Sequence, residues 1–246
     1  MKVAWFHKFG GPEVLLSEEA PKPAPKPGEA LIRVRAVGIN HVDLDHRAGT
    51  SRIPVKFPHI LGREFAGEIA ALNGEAPGFK EGDRVWITCR IPCRKCEFCL
   101  AGRDNLCVQE GYFGLDIPGG YAEYVCVPIL NLNALPAQMS FENAAAAQIA
   151  FGTAWHVLIT RGGIIVTVGA HAGEVVEFDI IPFFRKELRL AGSKNAPVLE
   201  LRKVMGLVAD GKLNPIIHKA FPLAQAAEAH RVVDSRDFFG KVILVP

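Results

Sequence analysis

Four cysteines constrain this chain more than any other feature. Cys93, Cys96, Cys99 and Cys107 follow the pattern C-x2-C-x2-C-x7-C on one short stretch. Four thiolates at that spacing complete a tetrahedral shell around one zinc ion and leave no open coordination position. A closed shell organises a loop but offers no place for substrate or water. The motif therefore predicts a rigid, metal-bound lobe, not a reaction centre. Two disulfides are the competing reading. The two-residue gaps are a metal-ligand spacing and the rest of the chain reads as intracellular, which favours the metal.

The bulk numbers exclude several function classes. At 246 residues the chain is long enough for one large domain or two lobes. Lys+Arg 28 against Asp+Glu 26 gives a net charge of +2, with no electrostatic case for nucleic acid or a membrane surface. Arg90, Arg94, Lys95 and Arg103 surround the cysteines, but with the single aromatic Phe98 among them they lack the interleaving that base-stacking would require. No apolar run approaches the ~20 residues of a spanning helix. The opening Met1–Lys8 lacks the apolar stretch of a secretory signal. A cytoplasmic location follows, in which Cys89 and Cys126 are plain thiols, Cys89 lying close enough to the quartet to be an alternative ligand.

The first third reads as β structure. Ala30–Val37 alternates apolar and polar residues, and it follows a proline-rich stretch, Pro21–Gly28, that can hold neither a helix nor a central strand. Phe65–Leu72, Asp83–Thr88 and Gly120–Val127 are further strands bounded by Gly or Pro turns, a spacing that suggests a closed or partly closed barrel. Ser140 is a favoured N-cap and Ala144–Ala147 are strong helix formers, so a helix starts there. Strands follow at Ile164–Val168 and Glu187–Ala191, then a helix over Val198–Ala209 with apolar Leu199, Val204, Leu207 and Val208 and a C-cap at Gly211. Ala224–Val233 reads as a last helix and Lys241–Val245 as a last strand.

Several stretches, in order and nearly end to end, resemble the zinc-containing medium-chain alcohol dehydrogenase and quinone oxidoreductase superfamily. They are Gly10–Leu15, Val37–Asp43, Leu61–Glu68, Gly82–Val85, the cysteine quartet, Gly120–Tyr124 and Phe239–Val242. The resemblance implies a mainly β, α+β chain with three parts. A GroES-like, partly closed β-barrel catalytic domain spans 1–153 and includes a structural zinc lobe at 89–110. A truncated remnant of a Rossmann α/β sheet spans 154–212. A C-terminal segment, 213–246, returns to the catalytic domain. It also implies an oxidoreductase acting on a small-molecule substrate with NAD(P), and a homodimer or larger homo-oligomer.

Two departures from the family pattern qualify that reading. Zinc-dependent members place a Cys, a His and a second Cys around an open catalytic zinc. Here those positions are Asn40, Arg63 and Ile149, none a thiolate or imidazole. The cleft therefore resembles the zinc-independent branch, with hydride supplied by the nicotinamide and polar side chains steadying the developing charge. The candidate catalytic residues are Asn40, Asp43, Arg63 and Glu64, with the alternative that Asp43 only bonds its own turn and that Arg63 and Glu64 form a local ion pair. By family position His41, Thr153 and Gly169 are the candidate cofactor contacts. The second departure is a gap. The chain passes from Leu158–Arg161 directly to Gly162–Gly169, omitting several βαβ units, and no G-x-G-x-x-G occurs anywhere. The expectation is one structural zinc held by Cys93, Cys96, Cys99 and Cys107, with dinucleotide binding lost. The alternative to an oxidoreductase is a non-enzymatic zinc-bound module.

Overall fold

The computed structural model describes residues 1–51, 53–161, 165–168, 175, 177, 180 and 189–246, and for 157–161, 165 and 166 the backbone alone. Strand β3 (Glu29–Gly38) organises the barrel. It is buried along most of its length, at Ala30–Ile32 and Ala36–Gly38 on successive residues rather than in strict alternation, and pairs antiparallel with β5 (Glu64–Asn73) from end to end. Its other edge is divided. The first half pairs with β9 (Tyr124–Pro128) and the last two residues with β14 (Lys241–Val245). Register shifts in the β3–β5 ladder at Leu31/Ile32 and Val34/Ala36 bend the strand where it changes partner. The sheet continues through β6 (Arg84–Ile87) and β10 (Leu132–Ala134) on one side and β13 (Ile217–Pro222) on the other. A second sheet sets β1 (Lys2–Phe6) between β2 (Leu16–Glu19) and β4 (His59–Ile60). Phe6, Phe65, Phe113, Tyr121 and Phe221 are fully buried among the aliphatic side chains these sheets turn inward. Each such burial is worth about 1.5–3 kcal/mol.

The expected strand over Gly120–Val127 begins only at Tyr124. Its first residues lie against another backbone instead: the Gly120 N–H donates to the Gly62 carbonyl at 2.8 Å, and a Cβ at Gly119 would stand 2.3 Å from that oxygen. A short helix, α1 (His41–Ala48), follows β3 and ends on Gly49 at φ +82°, a left-handed C-cap that glycine adopts without strain.

The alanine run opens α3 (Phe141–Arg161), whose first turn is held by an Asn143 N–H···Ser140 Oγ bond of 3.1 Å. Ala145 and Ala146 press against Ala36 and Ile243, so the helix lies very close to the sheet. Helix α4 (Val198–Ala209) packs on α3 through Leu201, Val204, Met205 and Val208, a stripe at i, i+3, i+4, i+7. That stripe corrects the sequence reading, since Leu199 is exposed. Gly211 lies past the helix end at φ +70°, its N–H donating to the Val208 carbonyl. The last helix, α5 (Ala226–Ser235), starts two residues later than expected because a 3-10 turn, Leu223–Gln225, precedes it.

Between α3 and α4, strands β11 (Ile165–Thr167) and β12 (Leu190–Gly192) pair in parallel. These are the two strands expected as the Rossmann remnant, with β12 shifted C-terminally. Glu187 and Leu188 of the expected strand lie outside the described residues.

Candidate active-site cleft and cysteine cluster

The cysteine lobe is built from two short strands, β7 (Arg90–Ile91) and β8 (Gly111–Tyr112), with α2 (Glu97–Leu100) starting after Cys96. The four sulfurs gather within 4.8 Å of one another, with Cys96–Cys99 at 3.5 Å and Cys93–Cys99 at 4.0 Å. A tetrahedron with Zn–S bonds of ~2.3 Å has S···S edges of about 3.8 Å, close to the Cys96–Cys99 and Cys93–Cys99 separations. Backbone N–H groups point inward: Cys93 and Gln109 donate to Cys107 Sγ. The N–H of Cys99 pulls the Cys96 thiol down to about 6, while burial pushes Cys99 up to about 12. A divalent cation would hold all four as thiolates.

Arg90 ties the lobe down. It is buried, and it donates to the Asp104 carbonyl (2.7 Å) and carboxylate (3.2 Å) and to Glu110 (3.1 Å). Asp104 in turn accepts the Val198 N–H at 3.2 Å and so caps α4. Arg90 is therefore a structural anchor, not one of a set of exposed cations. Nothing in its sequence surroundings distinguishes it from Arg94, whose guanidinium donates to the Leu130 carbonyl.

The structure brings Asn40, Asp43 and Glu64 together where β3 runs into α1. Glu64 is fully buried. Its Oε1 accepts the Ile149 N–H at 2.9 Å, and Oε2 accepts Asn40 Nδ2 (3.1 Å) and pairs with Lys241 Nζ (2.9 Å). Lys241 Nζ also donates to Asn40 Oδ1 at 2.7 Å. Both carboxylate oxygens are thus committed within the protein. The local Arg63–Glu64 ion pair is overturned: Glu64 takes the ammonium from the last strand instead. Sequence reading missed Lys241 because a contact spanning 201 residues leaves no local signal.

Arg63 turns the other way, its Nη2 at 3.9 Å from Cys89 Sγ and its guanidinium 5.0 Å above the Tyr112 ring, with Nε buried and unpartnered. Cys89 is thereby engaged by Arg63 rather than gathered with the other four sulfurs. Asp43 accepts the Asn40 N–H (2.8 Å) and the Gly62 N–H (3.3 Å), so it does bond its own turn while also holding the segment that carries Arg63. Burial pushes its carboxyl up to about 6, against the pull of the Asn40 N–H. Thr153 lines a void of about 10 Å3 with Ile149, Gln148 and Cys89, room for about one water. His41 sits half-buried at the start of α1. Gly169 lies outside the described residues.

Comparison with known proteins matches both halves. A sequence model of the alcohol dehydrogenase GroES-like domain fits residues 26–137, and one of the zinc-binding dehydrogenases fits residues 140–244. An NAD-dependent alcohol dehydrogenase of Sulfolobus acidocaldarius is 37% identical over 133 residues, 52% of this chain and 38% of the relative. L-galactonate-5-dehydrogenase of Escherichia coli is 32% identical over 163 residues, 65% of this chain and 47% of the relative. The chain spans about half the length of the curated relatives it matches. Among solved structures, an NAD-dependent alcohol dehydrogenase aligns over 100% of both chains at TM-score 0.89 and 27% identity. A thermostable alcohol dehydrogenase from Pyrobaculum aerophilum shares the fold at TM-score 0.87 and 24% identity, over 100% of this chain and 99% of that one. No helix among the described residues is long and apolar enough to cross a membrane. The chain belongs to the zinc-containing medium-chain alcohol dehydrogenase and quinone oxidoreductase superfamily.

Proposed function

We propose that this chain is an alcohol dehydrogenase or quinone-oxidoreductase-like protein that keeps one structural zinc and has lost the means to bind a dinucleotide. One observation carries the reading: the chain contains no G-x-G-x-x-G, and only a few residues separate Arg161 from Ile165. The family's pyrophosphate cradle needs a glycine turn after a strand and a helix N-terminus behind it, which together supply backbone donors and a favourable dipole. The residues present do not fit NAD(P), and no hydride-transfer step is assigned to them. The cysteine quartet does fit zinc, and that ion's contribution is to fold the lobe that Arg90 then clamps.

On this reading the parts are a catalytic domain over 1–153 with its zinc lobe at 89–110, a nucleotide-domain remnant over 154–212, and a returning segment over 213–246. Asn40, Asp43, Arg63 and Glu64 stand at the family's catalytic positions, with Glu64 engaged by Lys241 and the Ile149 N–H and Arg63 turned toward Cys89. His41, Thr153 and Gly169 are family positions left without the cofactor they served. The protein works in the cytoplasm as a homodimer or larger. In support, Val168 just past β11 and Leu190 in β12 are 51% and 57% exposed, apolar surface that a second chain would cover. NADPH fluorescence titration tests the proposal. No saturable change up to roughly millimolar NADPH is expected, and micromolar binding would overturn it. Light scattering at micromolar protein tests the assembly, and a monodisperse monomer would overturn that part alone.

A further inference from the structure

A second cleft, of about 590 Å3, opens between the cysteine lobe and the segment that leads into α4. Asn105, on its lobe wall, is 3% exposed. Its Nδ2 donates to the Lys194 carbonyl at 3.0 Å, which fixes the amide, since the flipped form would set oxygen against oxygen. Oδ1 is then a buried acceptor with no partner, and Ser193 Oγ on the opposite wall is buried without one as well. A buried polar atom left unsatisfied is costly, so two in one cleft ask for a ligand.

The charges narrow its chemistry. Arg103 stacks 5.3 Å above the Phe98 ring and forms no ion pair among the described residues, so its guanidinium is available to the cleft. His156 and Glu200 on the opposite wall pair with each other at 2.9 Å, and Lys194 pairs with Glu110. The ligand must carry negative charge for Arg103 and an O–H or N–H for Asn105 Oδ1. A phosphoryl group that keeps a proton meets both needs, whereas sulfate near neutral pH has no proton to give.

We propose that this cleft binds a protonated phosphoryl group, carried by a small phosphate monoester or by free phosphate. Arg103 and the Ser193 hydroxyl donate to its oxygens, and its P–OH donates to Asn105 Oδ1. The cleft is much larger than phosphate alone, which leaves room for an organic body. The site is independent of the dinucleotide question.

Calorimetry on the full chain at pH 7 with inorganic phosphate, glycerol 3-phosphate and sulfate tests this. Saturable binding is expected for both phosphates, and binding about tenfold weaker for sulfate. Arg103→Gln should weaken both phosphates by about tenfold and Ser193→Ala by about threefold, with melting temperatures unchanged. Tighter glycerol 3-phosphate identifies the monoester as the source and tighter phosphate the free ion, and either supports the site. The proposal is overturned by no saturable heat at roughly 10 mM phosphate or ester, by sulfate binding as well as phosphate, or by an unaffected Arg103→Gln.

Discussion

Replacing Arg47 should cost this protein a large share of its stability through a histidine 183 residues away. Arg47 is 4% exposed and sits at the end of α1. Nη1 lies 2.9 Å from His230 Nδ1, Nη2 donates to Asp234 at 3.1 Å, and Nε donates to the Gly10 carbonyl at 3.2 Å. A guanidinium can only donate, so His230 Nδ1 must accept and its proton must sit on Nε2. From there it donates to Tyr121 Oη at 3.0 Å. Arg47→Met strands two acceptors, one fully buried and one partly, at about 1–3 kcal/mol for the buried one and less for the other. Asp234 is 41% exposed and rehydrates, so it adds little. The expected loss is about 3 kcal/mol, out of the 5–15 kcal/mol typical of a folded domain. Urea unfolding at pH 7 measures it. Acid gives a second readout. Burial, then the Arg47 charge, holds His230 well below its ordinary pKa. The unfolded chain therefore takes up the proton first, and stability present above pH ~6.5 is lost below it at up to about 1.4 kcal/mol per pH unit. Without the Arg47 charge the folded pKa rises, so the pH window over which that stability is lost becomes narrower and the total loss smaller. A loss under about 0.5 kcal/mol, or nitrogen shifts placing the His230 proton on Nδ1, would refute the reasoning.

Metal analysis should return about one zinc per chain, and Cys96→Ser should lower zinc affinity and free the amides of the cysteine lobe to exchange; two zinc ions per chain would count against the reading of Asn40, Arg63 and Ile149, and none against the quartet. Gly38→Ala should destabilise by about 2–3 kcal/mol in urea, because its Cβ would meet the Ala145 carbonyl at 2.3 Å where α3 crosses the sheet. Lys241→Met should cost about 3–5 kcal/mol by leaving the Glu64 carboxylate buried without its cation, and Glu64→Gln in the same chain should recover part of that loss.

What sequence made legible follows the range over which each signal acts. The cysteine spacing, the period-two strands and the alanine run are local patterns. The quartet accordingly gathers, β3 and β5 fall on the stretches read as strands, and Ala144–Ala147 bring α3 down onto the sheet. The α4 stripe was misjudged because Leu199 and Leu201 are equally apolar, and only the position of α3 decides which one it covers. The partners of Glu64 and of His230 come from strands and helices far away in sequence, Lys241 from β14 and Arg47 from α1, and no window of the chain contains both members of either pair. These long-range pairs share a geometry. Residues from 226 onward supply one member of each, so two side-chain ties, at Glu64 and at Arg47 beneath Tyr121, add to the β3–β14 pairing that joins the C-terminal segment to the barrel. Neither tie uses a residue between α3 and α4, so the C-terminal segment stays fastened to the barrel independently of that stretch.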